Sequence, residues 1–104
     1  MGWYLDGRIS ALVGTHTHVP TADAKLLPRG TGYVTDLGMT GPVNSIIGSR
    51  PDDVLSRFLT AMPKRLSVAE GGPSQFNSVI VQIDETTGLA NEIRRIDRIL
   101  DETP

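Results

Sequence analysis

Two imidazoles one residue apart carry the chemistry open to this chain. Gly14-Thr15-His16-Thr17-His18 holds both histidines of the sequence, directly after the apolar run Ala11-Leu12-Val13. If that run is a strand delivering the histidines to a sheet edge in extended backbone, positions i and i+2 project to one side roughly 7 Å apart. Two rings so placed converge on a pair of metal ions. The plainer alternative is two ordinary surface or hydrogen-bonded histidines, and spacing alone does not choose between them. Two neutral imidazoles also leave a site incomplete, because a catalytic zinc usually has three protein ligands and a two-metal centre needs a bridging carboxylate. The nearest acids, Asp6, Asp23 and Asp36, stand in turn-like contexts where capping their own backbone is the simpler expectation. None is assigned to metal.

Other chemistries fall away. No Ser-His-Asp set can be argued, no Gly-x4-Gly-Lys-Ser/Thr loop occurs, and no dinucleotide fingerprint follows a strand. There is no cysteine, hence no disulfide framework, thiolate nucleophile or zinc-thiolate site. The net charge is −2 with no lysine or arginine block, so stable binding to duplex DNA is not expected. No stretch approaches the ~18 apolar residues of a membrane span, and no basic region leads into an apolar one. A soluble, unexported, cytoplasmic protein is expected. Met1-Gly2 would suit myristoylation, but Asp6 stands where Ser or Thr is needed.

The elements that must position the histidines come next. At 104 residues and 38% hydrophobic, the chain is long enough for one small core, and residues 1–104 are read as a single domain. The stretch from Gly14 to Gly48 is rich in Gly, Pro and Thr and reads as loops around a hairpin. In that hairpin 24–27 pairs with 32–35 across Pro28-Arg29-Gly30-Thr31. Ser49-Arg50-Pro51-Asp52 reads as a helix start, with Ser49 as cap and Asp52 closing a capping box. Val54, Leu55, Phe58, Leu59 and Met62 then recur at helical spacing until Pro63, predicting a core-facing amphipathic helix. If buried, Phe58 is worth roughly 3 to 5 kcal/mol against Ala. Leu66, Val68 and Glu70 read as a short strand. Alternation at Val79, Val81 and Ile83 predicts a strand over 76–84, and Glu85-Thr86-Thr87-Gly88 turns it back into an antiparallel partner over 92–98. Ile93, Ile96 and Leu100 also fit a helical face, so the end of that partner is less defined.

Taken together, Gly14-Thr15-His16-Thr17-His18-Val19-Pro20-Thr21-Ala22-Asp23 resembles the closing metal motif of calcineurin-like metallophosphoesterases. The likeness is greatest to the bacterial 2′,3′-cyclic-nucleotide 2′-phosphodiesterase subgroup. It extends to Gly2-Trp3-Tyr4-Leu5-Asp6-Gly7-Arg8, Leu27-Pro28, Tyr33-Val34-Thr35-Asp36, Gly38-Met39-Thr40-Gly41-Pro42, Arg57-Phe58 and Pro63-Lys64-Arg65, and so covers nearly the whole chain.

The resemblance implies an α/β fold, the C-terminal part of a metallophosphoesterase sandwich, built mainly of β-strands with one amphipathic helix. It implies a phosphodiesterase acting on cyclic nucleotides or related phosphate esters. His16 and His18 would each bind one of two adjacent metal ions, iron, manganese or zinc, with hydroxide attacking phosphorus in line. By the same analogy Gly38, Met39, Thr40 and Gly41 border the substrate. The family's earlier motifs, an Asp, a Glu-Asn pair, an Asn-His segment and a further His, have no counterpart here. Residues 1–104 are therefore expected to form a partial domain, with Met1 an internal start or a truncation point, and to be inactive alone. The missing ligands would come from a complementary N-terminal half. A homo-oligomer, or a noncatalytic fragment or assembly module that keeps the fold, is the other expectation.

Overall fold

The computed structural model describes residues 1–101. The chain is mixed α/β with strands dominant: α1 (Gly2–Leu5), β1 (Ala11–Val13), β2 (Lys25–Leu26), β3 (Gly32–Val34), β4 (Gly41–Pro42), α2 (Pro51–Thr60), β5 (Ser74–Ile83) and β6 (Ala90–Leu100). The strands form two sheets, of order β1-β3-β2 and β4-β5-β6. This is the fold class expected from the sequence. No helix is long and apolar enough to cross a membrane among the described residues. The described chain divides into two compact units, Met1–Met39 with Asn77–Asp97, and Thr40–Phe76 with residues 98–101.

The first unit holds the predicted hairpin. Lys25 and Leu26 pair antiparallel with Tyr33 and Gly32. The connection closes by Leu27 N–H to Thr31 O at 2.8 Å and Gly30 N–H to Leu27 O at 2.9 Å. Gly30 takes φ +102° there, a value a side chain rarely permits. β1 lies on the other edge of β3 and runs parallel to it, Ala11 opposite Gly32 and Val13 opposite Val34. Parallel pairing sets the C-terminal ends of β1 and β3 side by side, so the loops leaving them share one end of the sheet. Beneath, Val81, Ala90 and Ile93 of the β5–β6 hairpin crowd the face of Gly32, and Leu27, Val34 and Ala90 are buried. Thr31 has no exposed surface. Its hydroxyl donates to Ile9 O at 2.7 Å and accepts from Gly7 N–H at 2.8 Å, so its burial leaves no polar atom stranded. The β5–β6 turn closes by Asp84 N–H to Leu89 O, and β6 remains a strand to Leu100. The helical reading of Ile93, Ile96 and Leu100 is overridden by this pairing.

The second unit departs from expectation at three points. The helix starts at Pro51 with Arg50 as N-cap, and neither Ser49 nor Asp52 makes a capping bond. Proline forces the residue before it out of helical backbone, and Arg50 sits accordingly at φ −61°, ψ 128°. Its carbonyl collects the first bonds, from Asp53 N–H at 3.1 Å and Val54 N–H at 3.3 Å. Second, the apolar stripe of α2 is uncovered: Leu55, Phe58, Leu59 and Met62 are 49%, 80%, 76% and 64% exposed. The periodicity is present, but nothing among the described residues covers that face. Third, Leu66–Glu70 is no strand. Val68 makes only an isolated bridge with Ser49, because the segment is tied to the helix start by Arg50 N–H to Ser67 O and Ser67 N–H to the Asp53 carboxylate. The helix ends with Ala61 in left-handed backbone, φ +54°, its N–H on Arg57 O, two residues before Pro63.

Candidate functional site

β1 stops at Val13, and the chain from Gly14 onward crosses the C-terminal edge of β3. Leu37 N–H donates to Gly14 O at 2.8 Å, and Thr21 N–H to Asp36 O at 3.1 Å. The histidines therefore lie in a loop, not in extended strand. His18 takes φ +65°, a left-handed conformation uncommon for any residue with a Cβ. The side-by-side geometry of an extended His-x-His does not apply, and the placement of the rings comes from what holds the loop.

Asp36 holds it. This carboxylate is 1% exposed, at the end of β3. Its Oδ2 accepts from His16 N–H at 3.0 Å, Thr17 N–H at 2.7 Å and the Thr17 hydroxyl at 2.7 Å. Its Oδ1 accepts from Gly38 N–H at 2.9 Å. The Thr17 hydroxyl foremost, then the Gly38 N–H, hold the Asp36 carboxyl well below the usual carboxylate range, against the opposing effect of burial. Asp23 plays a parallel part at the far end of the loop. It accepts from the Thr35 hydroxyl and N–H and, at 2.7 Å, from the Thr21 hydroxyl. The Thr35 hydroxyl is the largest cause of a pKa pushed down to about 2. Asp6 accepts from Arg29 N–H and Thr31 N–H. All three acids therefore serve backbone groups, but mostly across the chain: Asp6 over 23 to 25 residues, Asp23 over 12 and Asp36 over 19 to 20, with Asp36 also taking Gly38 N–H within its own turn as expected.

His16 and His18 are both exposed. The bond that anchors His16 is made by its backbone N–H, so the anchoring occupies no ring nitrogen. Exposed imidazoles on a fixed backbone suit the donor chemistry of iron, manganese or zinc. They form a partial set: no group of three or more His, Cys, Asp or Glu able to hold a metal occurs among the described residues.

The proposed substrate-bordering segment is divided. Gly38 and Met39 belong to the first unit, Thr40 and Gly41 to the second. Gly38 is buried at φ +90°, and a Cβ there would lie 2.6 Å from Asn77 Oδ1. The close approach its glycine permits is thus to Asn77, whose Oδ1 also accepts from Met39 N–H at 3.2 Å. Thr40 is exposed, and Gly41 pairs with Gln75 in β4. Arg95 of β6 completes the support, donating to Asp36 O and Leu37 O while paired with Asp97 at 2.8 Å. Sequence reading missed Thr17, Asn77 and Arg95. Thr17 had a local signal, a hydroxyl between two candidate ligands. Asn77 and Arg95 lie 38 to 59 residues from what they hold, beyond any spacing argument.

The YmdB-like protein family matches residues 1–96. The chain belongs to that family. Among YmdB-like relatives, the 2′,3′-cyclic-nucleotide 2′-phosphodiesterase of Bacillus subtilis (strain 168) is 51% identical over 96 residues, which are 92% of this chain and 36% of that protein. A crystal structure of a novel phosphatase from Mycoplasma pneumoniae has a TM-score of 0.89 at 32% identity, covering 97% of this chain and 36% of that one. A hypothetical protein from Thermus thermophilus has a TM-score of 0.87 at 43% identity, over 95% and 38%. The chain thus spans about a third of the length of the curated relatives it matches, and corresponds to their C-terminal portion. The resemblance read from the motif and its flanking blocks is the family found by comparison.

Proposed function

We propose that this chain is the part of a metal-dependent phosphodiesterase that carries the His-x-His ligands, acting on cyclic nucleotides or related small phosphate esters. The observation that carries the reading is the Asp36-clamped loop, which holds His16 and His18 at the C-terminal edge of two parallel strands with both residues exposed. Ligand sites in α/β sheets gather at such edges. The phosphodiesterase and phosphatase names among YmdB-like relatives supply the reaction class. His16 and His18 would hold two ions of iron, manganese or zinc together with ligands outside residues 1–104. Bound there, the metals would supply positive charge for the phosphoryl oxygens and acidify water. The chain's own contribution is to fix the imidazoles and to support the adjoining Gly38-Met39 backbone.

The test is to measure bound metal and hydrolysis of bis(4-nitrophenyl) phosphate with and without a co-expressed upstream polypeptide from the family. Turnover and tightly held metal are expected only with the complement, the chain alone taking up Zn²⁺ weakly through its two imidazoles, and His16→Ala or His18→Ala should abolish turnover and tight binding while the fold persists. Absence of metal and turnover from both preparations would remove the enzyme reading. The second reading, a noncatalytic assembly module that associates through its own copies or a complementary half, draws on the uncovered stripe of α2 and on the two-member ligand set. It predicts stable association in that same pair of preparations without any turnover.

A further inference from the structure

We infer that Thr17, together with Asp36, is a positioning device that sets the placement of the two histidines and links their loop to the Gly38 backbone. The inference rests on the reading of His16 and His18 as metal ligands and adds the residues that act through them.

A loop carrying two ligands has no intrinsic reason to hold them at one separation, since bends between strands leave each residue several backbone wells. Here the intervening residue is fixed from both sides. The Thr17 hydroxyl donates to Asp36 Oδ2 at 2.7 Å, and as acceptor it takes Val19 N–H at 3.2 Å. The chain therefore closes tightly around His18, which is the residue in left-handed backbone at φ +65°. Such a conformation is strained for a residue with a Cβ and persists only where its surroundings over-determine it. The neighbouring amides of His16 and Thr17 share the same oxygen. One nearly buried carboxylate thus collects both amides and the hydroxyl on Oδ2, and with Oδ1 holds Gly38 N–H. Metal-ligand loop and Gly38 backbone are fixed to a single anion, whose own carbonyl is held by Arg95. Thr17 itself is exposed, so packing gives no reason for a threonine there. Its hydroxyl does.

The experiment titrates Zn²⁺ into the full 104-residue chain and follows the imidazole resonances of His16 and His18, with strand amides of β5 and β6 as a measure of fold. The wild-type chain and Thr17→Ser, which keeps the hydroxyl, should bind with the same affinity. Thr17→Val keeps the shape and removes the hydroxyl, and should bind about 10-fold more weakly or worse, with the strand amides unmoved. Thr17→Ala serves as the second hydroxyl-free variant should Val disturb the loop sterically. Wild-type affinity in a folded Thr17→Val or Thr17→Ala overturns the positioning role while leaving the metal reading intact. Failure of both hydroxyl-free variants to fold overturns it too, since the residue would then act on the fold. Absence of any Zn²⁺ response at either imidazole of the wild-type chain overturns the metal reading, and with it the positioning role.

Discussion

The loop from Gly14 to Asp23 is shaped by hydroxyl-to-carboxylate bonds, and these have a pH signature. Asp23 titrates near 2 in the folded chain rather than at its ordinary 3.8, chiefly through the Thr35 hydroxyl. A depressed folded pKa means that the unfolded chain takes up protons first as pH falls. The stabilisation is complete well above pH 4, declines as pH drops through the unfolded value, and is gone below about 2. Denaturant melts of the wild-type chain should show this acid-side slope, and Asp23→Asn should flatten it; an unchanged slope in that variant would reject the Asp23 contribution. At the other end of the loop, a Cβ on Gly14 would meet Thr35 O at 2.5 Å. That neighbour is backbone and cannot swing aside. Gly14→Ala should therefore cost roughly 1 to 3 kcal/mol by overpacking, read as a lowered urea midpoint, whereas a variant as stable as wild type would show the strand end free to shift.

At the scale of elements, α2 separates what periodicity encodes from what burial delivers. Val54, Leu55, Phe58, Leu59 and Met62 form the apolar stripe that the sequence announces, yet Phe58 is 80% exposed. The loss expected of a core phenylalanine does not apply. Phe58→Ala should change the stability of this chain by about 0.5 kcal/mol or less, and a loss of several kcal/mol in a urea melt would show that the side chain is covered in solution. The helix start makes the same point locally. Ser49 and Asp52 match the spacing of a capping box, but Pro51 fixes the boundary by excluding Arg50 from helical backbone. The two hairpins were legible because each is closed by short-range turn chemistry, Pro28 to Thr31 and Asp84 to Leu89. The parallel pairing of β1 with β3 was not, because nothing local to either strand names its partner.

At the scale of the whole molecule, the large apolar side chains buried among the described residues are Leu27 and Val34, both in the first unit, while Ala69 is the buried apolar residue of the second. A chain with 38% hydrophobic residues thus leaves many on its surface, Phe58, Leu59 and Met62 among them. Exposed apolar residues gathered on one helix face favour association. Sedimentation of the purified 104 residues should show concentration-dependent self-association, relieved by a co-expressed complementary polypeptide. A monomer at every concentration with one cooperative thermal transition would contradict this.

The sequence by itself determined the family and marked the segment proposed to hold metal. Two histidines in a Gly-Thr-His-Thr-His segment, flanked by Trp3-Tyr4-Leu5-Asp6-Gly7 and Gly38-Met39-Thr40-Gly41-Pro42, form an ordered series that chance does not supply, and local turn and alternation signals marked the hairpins. Only tertiary structure decided what those histidines stand on. Asp36 reaches the His16 and Thr17 amides across about twenty residues and Arg95 reaches Asp36 across 59, distances over which a chain has no periodicity to read. The strand expected to carry His16 and His18 ends at Val13, because their loop is anchored by a carboxylate instead of by a neighbouring strand.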